Sequence, residues 1–141
     1  MLGRKYGYYP EDPEQGWLVD STLDGLMDMF QGAVKARWEP DEEKKKQLMG
    51  EWLKDTLPKF LTVFEKRLSA NSSPNFFVGD KLTIADFAWL SFIFSHVYNP
   101  EGMMSAYIKP IFENFPRLKT YAEALKTTFY EYLENRPKRT F

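Results

Sequence analysis

One apolar segment, IADFAWLSFIFSHVY at residues 84–98, sharply limits the folds open to this chain. A helix formed by these residues is apolar nearly all round, so other helices must bury it. The residues before it mark its start: Thr83 can cap the first turn while Asp86, three residues on, reaches back to it. Leu82 and Phe87 stand where a hydrophobic staple would be. We therefore predict a buried central helix with a structural capping box, in which Asp86 serves folding and not catalysis.

A long helix is predicted before this segment. Asp12 and Pro13 supply an N-cap followed by proline at the first helical position. Apolar residues then recur at helical spacing to about Arg37. The helix should end at Pro40, because the residue before a proline is disfavoured in helical conformation.

The rest of the chain also reads as helical. Asp41 begins a second amphipathic pattern that runs to about Ala70, and Pro58 should kink that helix because it removes a backbone bond. Loops and turns follow at residues 71–80, a short helix at about 105–113, and a last long helix or helix pair at about 118–133. No stretch keeps strand periodicity for long. The predicted fold is all-α, a bundle of about four to six helices around one central apolar helix.

Composition narrows the function. Nineteen basic against twenty acidic residues argue against a nucleic-acid binder, and the basic runs at 44–46 and 136–139 read as solvated helix ends. The chain has no cysteine, so disulfides, thiolate metal sites and cysteine nucleophiles are excluded. The single His96 cannot form a zinc site alone, and its apolar neighbours favour a packed ring. No signal peptide or membrane-length apolar run is present. A cytoplasmic protein without a membrane partner is expected.

An acidic column is the main unexplained feature. In LVDSTLDGLMDMF, residues 18–30, Asp20, Asp24 and Asp28 recur every four residues and would share one helix face. Like charges at that spacing cost roughly 0.2–0.5 kcal/mol per pair. The helix dipole favours an acid in the first turns, which accounts best for Asp20 and least for Asp28. A divalent cation shared between two such columns is an alternative, although no metal site is assigned.

No self-contained active site is evident. The sequence lacks GxSxG, a phosphate-binding glycine loop, HExxH and a calcium loop. A column of acids on one helix is not the facing pair that general acid–base catalysis requires. The residues alone indicate a helical domain with an acidic stripe.

Four segments resemble the cytosolic glutathione S-transferases. FFVGDKLTIADFAWLSF, residues 76–92, is similar to the V-G-D loop and capped central helix of that family. LVDSTLDGLMD, residues 18–28, resembles the first long helix of the helical domain in pi- and sigma-class members, and YLENRPKRTF, residues 132–141, is similar to the sigma-type ending. LGRKYGYYPEDPE, residues 2–14, is like the end of the thioredoxin-fold domain and its linker. The resemblance covers essentially the whole chain.

The resemblance implies a domain organisation. Residues 1–10 would be the remnant of the last thioredoxin-domain helix with its linker, and residues 11–141 the C-terminal helical domain. In the family, the thioredoxin-fold domain binds glutathione and carries the residue that stabilises its thiolate. No catalytic residue is therefore assigned here, and Tyr6, Tyr8 and Tyr9 have no such role. Alone, the chain should have negligible conjugating activity.

The resemblance also implies site residues. Asp28 matches the carboxylate that contacts glutathione of the partner subunit in a homodimer, and Asp24 would support the same negative field. Trp38 falls where pi- and mu-type enzymes carry an aromatic residue of the electrophile pocket, with Val34 and Arg37 close enough to contribute. Trp38 could equally be core or cover. The implied function is detoxification by joining the co-substrate glutathione to small electrophiles, with no other cofactor.

A second function belongs to a different class. Helical domains of this kind also occur as non-catalytic interaction modules in translation factors and synthetase assemblies. Without a thioredoxin domain, Trp17, Leu18 and neighbouring apolar residues would be exposed, and such a patch favours a protein partner.

Overall fold

A computed structural model describes residues 2–137 of the 141-residue chain. Met1 and residues 138–141 lie outside the described part, so the predicted tail and the basic run at 136–139 are covered only as far as Pro137.

The described residues are helical with no strand, which confirms the all-α prediction. The α-helices are α1 (Leu2–Lys5), α2 (Pro13–Arg37), α3 (Glu42–Glu51), α4 (Leu57–Ala70), α5 (Ile84–Phe92), α6 (Ser105–Phe112), α7 (Pro116–Thr128) and α8 (Tyr130–Asn135). Two π-helical segments interrupt them: Trp52–Thr56 joins α3 to α4, and Ile93–Val97 extends α5. If each π-helical segment is counted with the α-helices it continues, residues 2–137 contain seven continuous helical segments, including the short α1 and α8.

Helix α2 has the predicted bounds. The Asp12 carboxylate accepts a hydrogen bond of 2.8 Å from the Gln15 N–H, and Pro13 occupies the first turn. The helix ends at Arg37, and the N–H of Trp38 still reaches the Val34 carbonyl at 3.2 Å. At a rise of 1.5 Å per residue, the 25 residues of α2 span about 37 Å.

The second predicted helix is continuous but not uniform. A π segment occupies Trp52–Thr56, directly before Leu57 and Pro58, and the Leu57 N–H bonds to the Trp52 carbonyl. Proline has no N–H and its ring crowds the carbonyl four residues earlier. Widening the preceding turn to i→i+5 bonding is one way for a helix to accommodate that loss.

Helix α5 forms the centre of the bundle. It packs on α2, while α4 packs on α7. The Trp89 side chain is fully buried, with ring centroids 4.4 Å from Phe64 and 5.3 Å from Phe77. Tyr121 of α7 closes the same aromatic cluster, with its ring 5.0 Å from Phe77.

The buried Asp86 carboxylate holds the start of α5. It accepts hydrogen bonds from the Thr83 N–H at 2.8 Å and the Thr83 hydroxyl at 2.9 Å, as part of a capping box. The Phe77 N–H, at 2.9 Å, and the Tyr121 hydroxyl, at 3.0 Å, also donate to it. Burial raises the pKa of Asp86, and these four hydrogen bonds act in the opposite direction. One side chain thereby ties the loop before α5 to α7.

Candidate functional site

An apolar cleft of about 340 Å³ opens where α2 ends. Its volume lies in the range of small-molecule sites, which are mostly apolar with a few placed polar groups. Phe30, Val34, Arg37 and Trp38 form the α2 wall. All three residues predicted for an electrophile pocket, Val34, Arg37 and Trp38, therefore line one cleft.

The Trp38 side chain is 81% exposed, so it belongs neither to the core nor to a buried cover. It follows the last residue of α2, where backbone helicity ends and the indole can reach over the cleft mouth. Val34, one turn earlier, is 51% exposed. Met29 lies close in sequence but is buried in the core, whereas Phe30 lines the cleft.

Both π-helical segments contribute to this cleft. Trp52 opens the first segment, and its indole N–H donates to the Met29 carbonyl at 2.6 Å. His96 lies in the second segment. π-Helical turns often occur at functional sites, because they re-aim side chains that a regular helix would place elsewhere. The meeting of two such segments at one cleft favours it as the functional site.

The His96 ring is half-buried between two aromatic rings, with centroids 5.5 Å from Phe30 and 5.9 Å from Phe92. Burial lowers the pKa of His96, so the imidazole is neutral at pH 7. The ring is packed, as its apolar neighbours predict, but it also lines the cleft. No sequence motif marks His96 as a site residue.

The remaining walls come from α3 and from the segment around the start of α6. Lys45 and Met49 stand on α3, and Met103, Met104 and Ile108 complete the opposite side. Three methionines give the lining unbranched, polarizable side chains that adapt to differently shaped ligands. No sequence motif marks these residues. They come together only because α3 packs on α2 while α6 packs on the π-helical segment that extends α5.

The three acids predicted as a column lie on the exposed face of α2. The Asp20 carboxylate accepts a hydrogen bond of 2.7 Å from the Tyr9 hydroxyl, and this bond raises the pKa of Tyr9. The Asp28 carboxylate accepts from the Gln31 amide at 3.1 Å. Asp24 and Asp28 form no ion pair with any residue between 2 and 137. Both carboxylates therefore keep their charge available to a cation from outside.

Two other concavities are more polar. One of about 980 Å³ lies beside the Tyr9–Asp20 hydrogen bond and includes Arg4 and Lys81. Another of about 490 Å³ lies beside Arg136, whose guanidinium donates to the Phe94 carbonyl at 2.6 Å. Both contain side chains already engaged with the protein itself. The cleft at the end of α2 is more apolar than either of these two concavities and matches a small-molecule site better.

No group of three or more metal-ligating side chains is gathered among residues 2–137. Within the same described range, no helix combines the length and apolar character needed to cross a membrane.

The chain matches the family model for the glutathione S-transferase C-terminal domain over residues 27–137. It is 30% identical over 130 residues to glutathione S-transferase P of Bos taurus, covering 85% of this chain and 58% of that protein. For glutathione S-transferase P of Homo sapiens the identity is 30% over 125 residues, covering 88% and 53%. The chain thus spans about half the length of the curated relatives it matches.

A solved structure of a Nu-class glutathione S-transferase from Haemonchus contortus superposes with a TM-score of 0.77 at 27% identity. The superposition covers 99% of this chain and 66% of that one. The shared region is helical, in line with the all-α fold described above.

Proposed function

This chain belongs to the glutathione S-transferase family, and we propose that it supplies the helical half of such an enzyme. In this role residues 11–141 provide the electrophile pocket, part of a homodimer interface and a contact to glutathione. Residues 1–10 are the end of the thioredoxin-fold half and its linker. The observation that carries the proposal is the cleft at the end of α2, lined by Val34, Arg37 and Trp38.

The cleft suits the electrophile and not glutathione. Its lining is chiefly aromatic and aliphatic, and it buries apolar surface without offering the row of backbone and polar partners that a charged tripeptide requires. In the proposed reaction the glutathione thiolate attacks an electrophilic carbon, forming a C–S bond. The leaving group departs with the bonding electron pair, and the thiol proton goes to solvent. The thioredoxin-fold half stabilises the thiolate, while this chain orients the carbon.

Asp28 is the proposed partner of the γ-glutamyl ammonium of glutathione held in the other subunit. Its carboxylate is exposed, and its one hydrogen bond to a side chain in residues 2–137 comes from the neutral Gln31 amide. A carboxylate–ammonium bond is shorter and stronger than a neutral hydrogen bond. Asp24 stands one turn earlier and adds to the negative field. Asp20 is the least suited of the three, because the Tyr9 hydroxyl already occupies it.

Joining the two halves tests this function. The 141-residue chain alone should give no conjugation of glutathione to 1-chloro-2,4-dinitrobenzene. The same chain fused behind the thioredoxin-fold half of a related glutathione S-transferase P should conjugate it. Turnover by the isolated chain that is abolished in Asp28→Ala would contradict the proposal, and so would a folded, dimeric fusion without turnover.

One observation supports the alternative function as an interaction module. Trp17 is 65% exposed at the start of α2, beside the partly buried Leu18. Light scattering separates the two functions. A defined complex between the full chain and a protein other than a thioredoxin-fold partner, lost in Trp17→Ala, would favour the module. The enzyme half predicts no such complex.

A further inference from the structure

The connection between α4 and α5, residues 71–83, carries a serine directly before a proline, Ser73–Pro74. No other serine or threonine of the 141-residue chain stands before a proline. Serine followed by proline is the pair that proline-directed protein kinases modify. A proline also favours extended backbone at the residue before it, which suits binding in the groove of an enzyme. The pair therefore points to Ser73 as an acceptor of phosphate, if its hydroxyl has no structural duty.

The Ser73 hydroxyl has no partner within the protein. It makes no hydrogen bond in the described part of the chain, and the residue is partly exposed. The Ser69 hydroxyl in α4 differs, because it donates to the Glu65 carbonyl at 2.8 Å. A loop hydroxyl without an internal partner accepts a phosphoryl group without the loss of a hydrogen bond that holds the fold.

The same loop contains the acceptor pattern of N-glycosylation, Asn71–Ser72–Ser73. The amide of Asn71 is not available for that reaction. Its nitrogen donates to the carbonyls of Phe76 and Gly79, both at 2.8 Å. It also donates to the Ser73 carbonyl at 3.2 Å. A glycosylated nitrogen keeps only one hydrogen and could not hold all three carbonyls. Of the two modification patterns in this loop, the geometry leaves only the serine open.

A cation lies beside this serine. The Arg117 guanidinium, from the first turn of α7, donates to the Pro74 carbonyl at 2.5 Å. This guanidinium forms no ion pair in the described part of the chain. Arginine presents planar, paired donors that match phosphate oxygens. A phosphate on the residue next to Pro74 would therefore meet an unneutralised guanidinium.

The Glu65 carboxylate of α4 lies against the same turn of α7 but does not neutralise this cation. Its two oxygens accept hydrogen bonds from the backbone N–H groups of Arg117 and Leu118, at 3.0 and 2.9 Å. These bonds fix the position from which the Arg117 side chain starts. The guanidinium is thus held at the loop while its charge stays available.

We propose that Ser73 is a phosphorylation site for a proline-directed serine/threonine kinase and that Arg117 binds the phosphate. The Ser73 oxygen attacks the γ-phosphorus of ATP, and the bond from that phosphorus to the β-phosphate oxygen breaks. ADP leaves with the electron pair, and the hydroxyl proton goes to the catalytic base of the kinase.

The modification strengthens the link between the loop and α7. The guanidinium exchanges a neutral carbonyl for a phosphate that carries nearly two negative charges. The loop continues to Phe77, whose N–H donates to the buried Asp86 carboxylate, so the effect reaches the segment that leads into the central helix. This inference is independent of the proposed function, because neither Ser73 nor Arg117 lines the cleft at the end of α2.

A kinase assay on the full 141-residue chain tests the site. With a mitogen-activated protein kinase and ATP, mass spectrometry should find one phosphate, at Ser73, and none in Ser73→Ala. Pro74→Ala keeps the hydroxyl and should lower the initial rate about ten-fold or more, because the kinase no longer meets the ring that it selects. Ser72→Ala, at the neighbouring serine, is the matched control and should leave the rate unchanged. No incorporation at Ser73, or equal rates in Pro74→Ala and the wild-type chain, would overturn the site.

Thermal unfolding tests the phosphate partner. Phosphorylation should raise the Tm of the wild-type chain by about 2–4 °C, and that of Arg117→Gln by less than about 1 °C. Lys119→Gln is the matched control, because it removes a partly exposed cation two residues along α7, where side chains do not share a face. It should keep the full increase. Equal increases in Arg117→Gln and the wild-type chain, or no increase in either, would overturn the assignment of Arg117.

Discussion

Asp86 and His96 are two titratable side chains at opposite ends of the central helical segment, and they are treated differently by the fold. Four donors surround the Asp86 carboxylate at 2.8–3.0 Å. The His96 ring has aromatic neighbours but no hydrogen bond to a described residue. A fully satisfied buried group stabilises the fold, whereas an unsatisfied group lining a cleft is available to a ligand. The start of the segment therefore maintains structure, and its end faces the site.

Removing the Asp86 carboxylate should give the largest effect. Asp86→Ala leaves a backbone N–H, the Thr83 N–H and the Tyr121 hydroxyl without their buried acceptor. We expect the free energy of unfolding to fall by about 3–5 kcal/mol in urea denaturation. Asp80→Ala, at an exposed position in the same connection, is the control and should cost less than about 0.5 kcal/mol. A loss below about 1 kcal/mol in Asp86→Ala would show that this network does not hold the helix start.

Removing only the capping hydroxyl should cost less. Thr83→Ala keeps the Asp86 carboxylate and its bond to the Thr83 backbone, but removes the 2.9 Å hydroxyl contact. A cap of this kind typically contributes about 1 kcal/mol. Thr83→Ser keeps the hydroxyl and should recover most of that stability in the same urea titration. If serine and alanine behaved alike, the hydroxyl would have no stabilising role.

His96 should make stability depend on pH in a way that Asp86 does not. Burial lowers the pKa of His96 in the folded chain. At pH values between that pKa and about 6.5, the unfolded chain therefore binds a proton at His96 that the folded chain does not bind. The contribution of the neutral ring is complete above about pH 6.5 and is lost as the pH falls below it. Burial raises the pKa of Asp86, so above about pH 3.9 the folded chain holds this proton more tightly than the unfolded chain does. The effect of Asp86 on the free energy of unfolding therefore has the opposite sign: stability falls as the pH rises through that range.

The comparison with His96→Gln isolates the histidine contribution. Urea midpoints measured at several pH values between about 5 and 7.5 should fall with decreasing pH more steeply in the wild-type chain than in His96→Gln. Identical slopes in the two proteins would mean that burial does not hold the imidazole neutral.

Trp38 should have the smallest effect on stability. Because its side chain is 81% exposed, Trp38→Ala should change the free energy of unfolding by less than about 0.5 kcal/mol. Trp89→Ala, in the fully buried aromatic cluster, should cost about 3–5 kcal/mol. The same Trp38→Ala variant should bind the neutral fluorescent probe N-phenyl-1-naphthylamine more weakly than the wild-type chain does, because Trp38 lines the cleft. A strongly destabilised Trp38→Ala protein would mean that this side chain packs as part of the core.

Local sequence chemistry predicts the helix starts of this protein well. Asp12 with Pro13 fixes the start of α2, and Thr83 with Asp86 fixes the start of α5, because caps depend on residues three or four positions apart. The acidic column of Asp20, Asp24 and Asp28 is predictable for the same reason, because helical spacing alone places the three residues on one face. Val34, Arg37 and Trp38 were identified by resemblance and lie together at the end of that helix.

The features that could not be predicted from the sequence, the π-helical segments and part of the cleft lining, depend on tertiary packing. A π turn has no strong local signature, so the segments holding Trp52 and His96 read as ordinary helix. The apolar neighbours of His96 correctly indicated packing but not that one side of the ring lines a cleft. Met103 and Met104 follow a helix break, and only the docking of α6 brings them to the site.

In the proposed enzyme, α2 and the residue that follows it contact two substrates: Asp28 would bind glutathione and Trp38 the electrophile. Steady-state kinetics of the fusion with a thioredoxin-fold half, in which each substrate is varied in turn, distinguish the two roles. Asp28→Asn should raise KM for glutathione and leave KM for 1-chloro-2,4-dinitrobenzene unchanged, and Trp38→Ala should do the reverse. Parallel changes in both KM values for either variant, or no change in either, would contradict the claim.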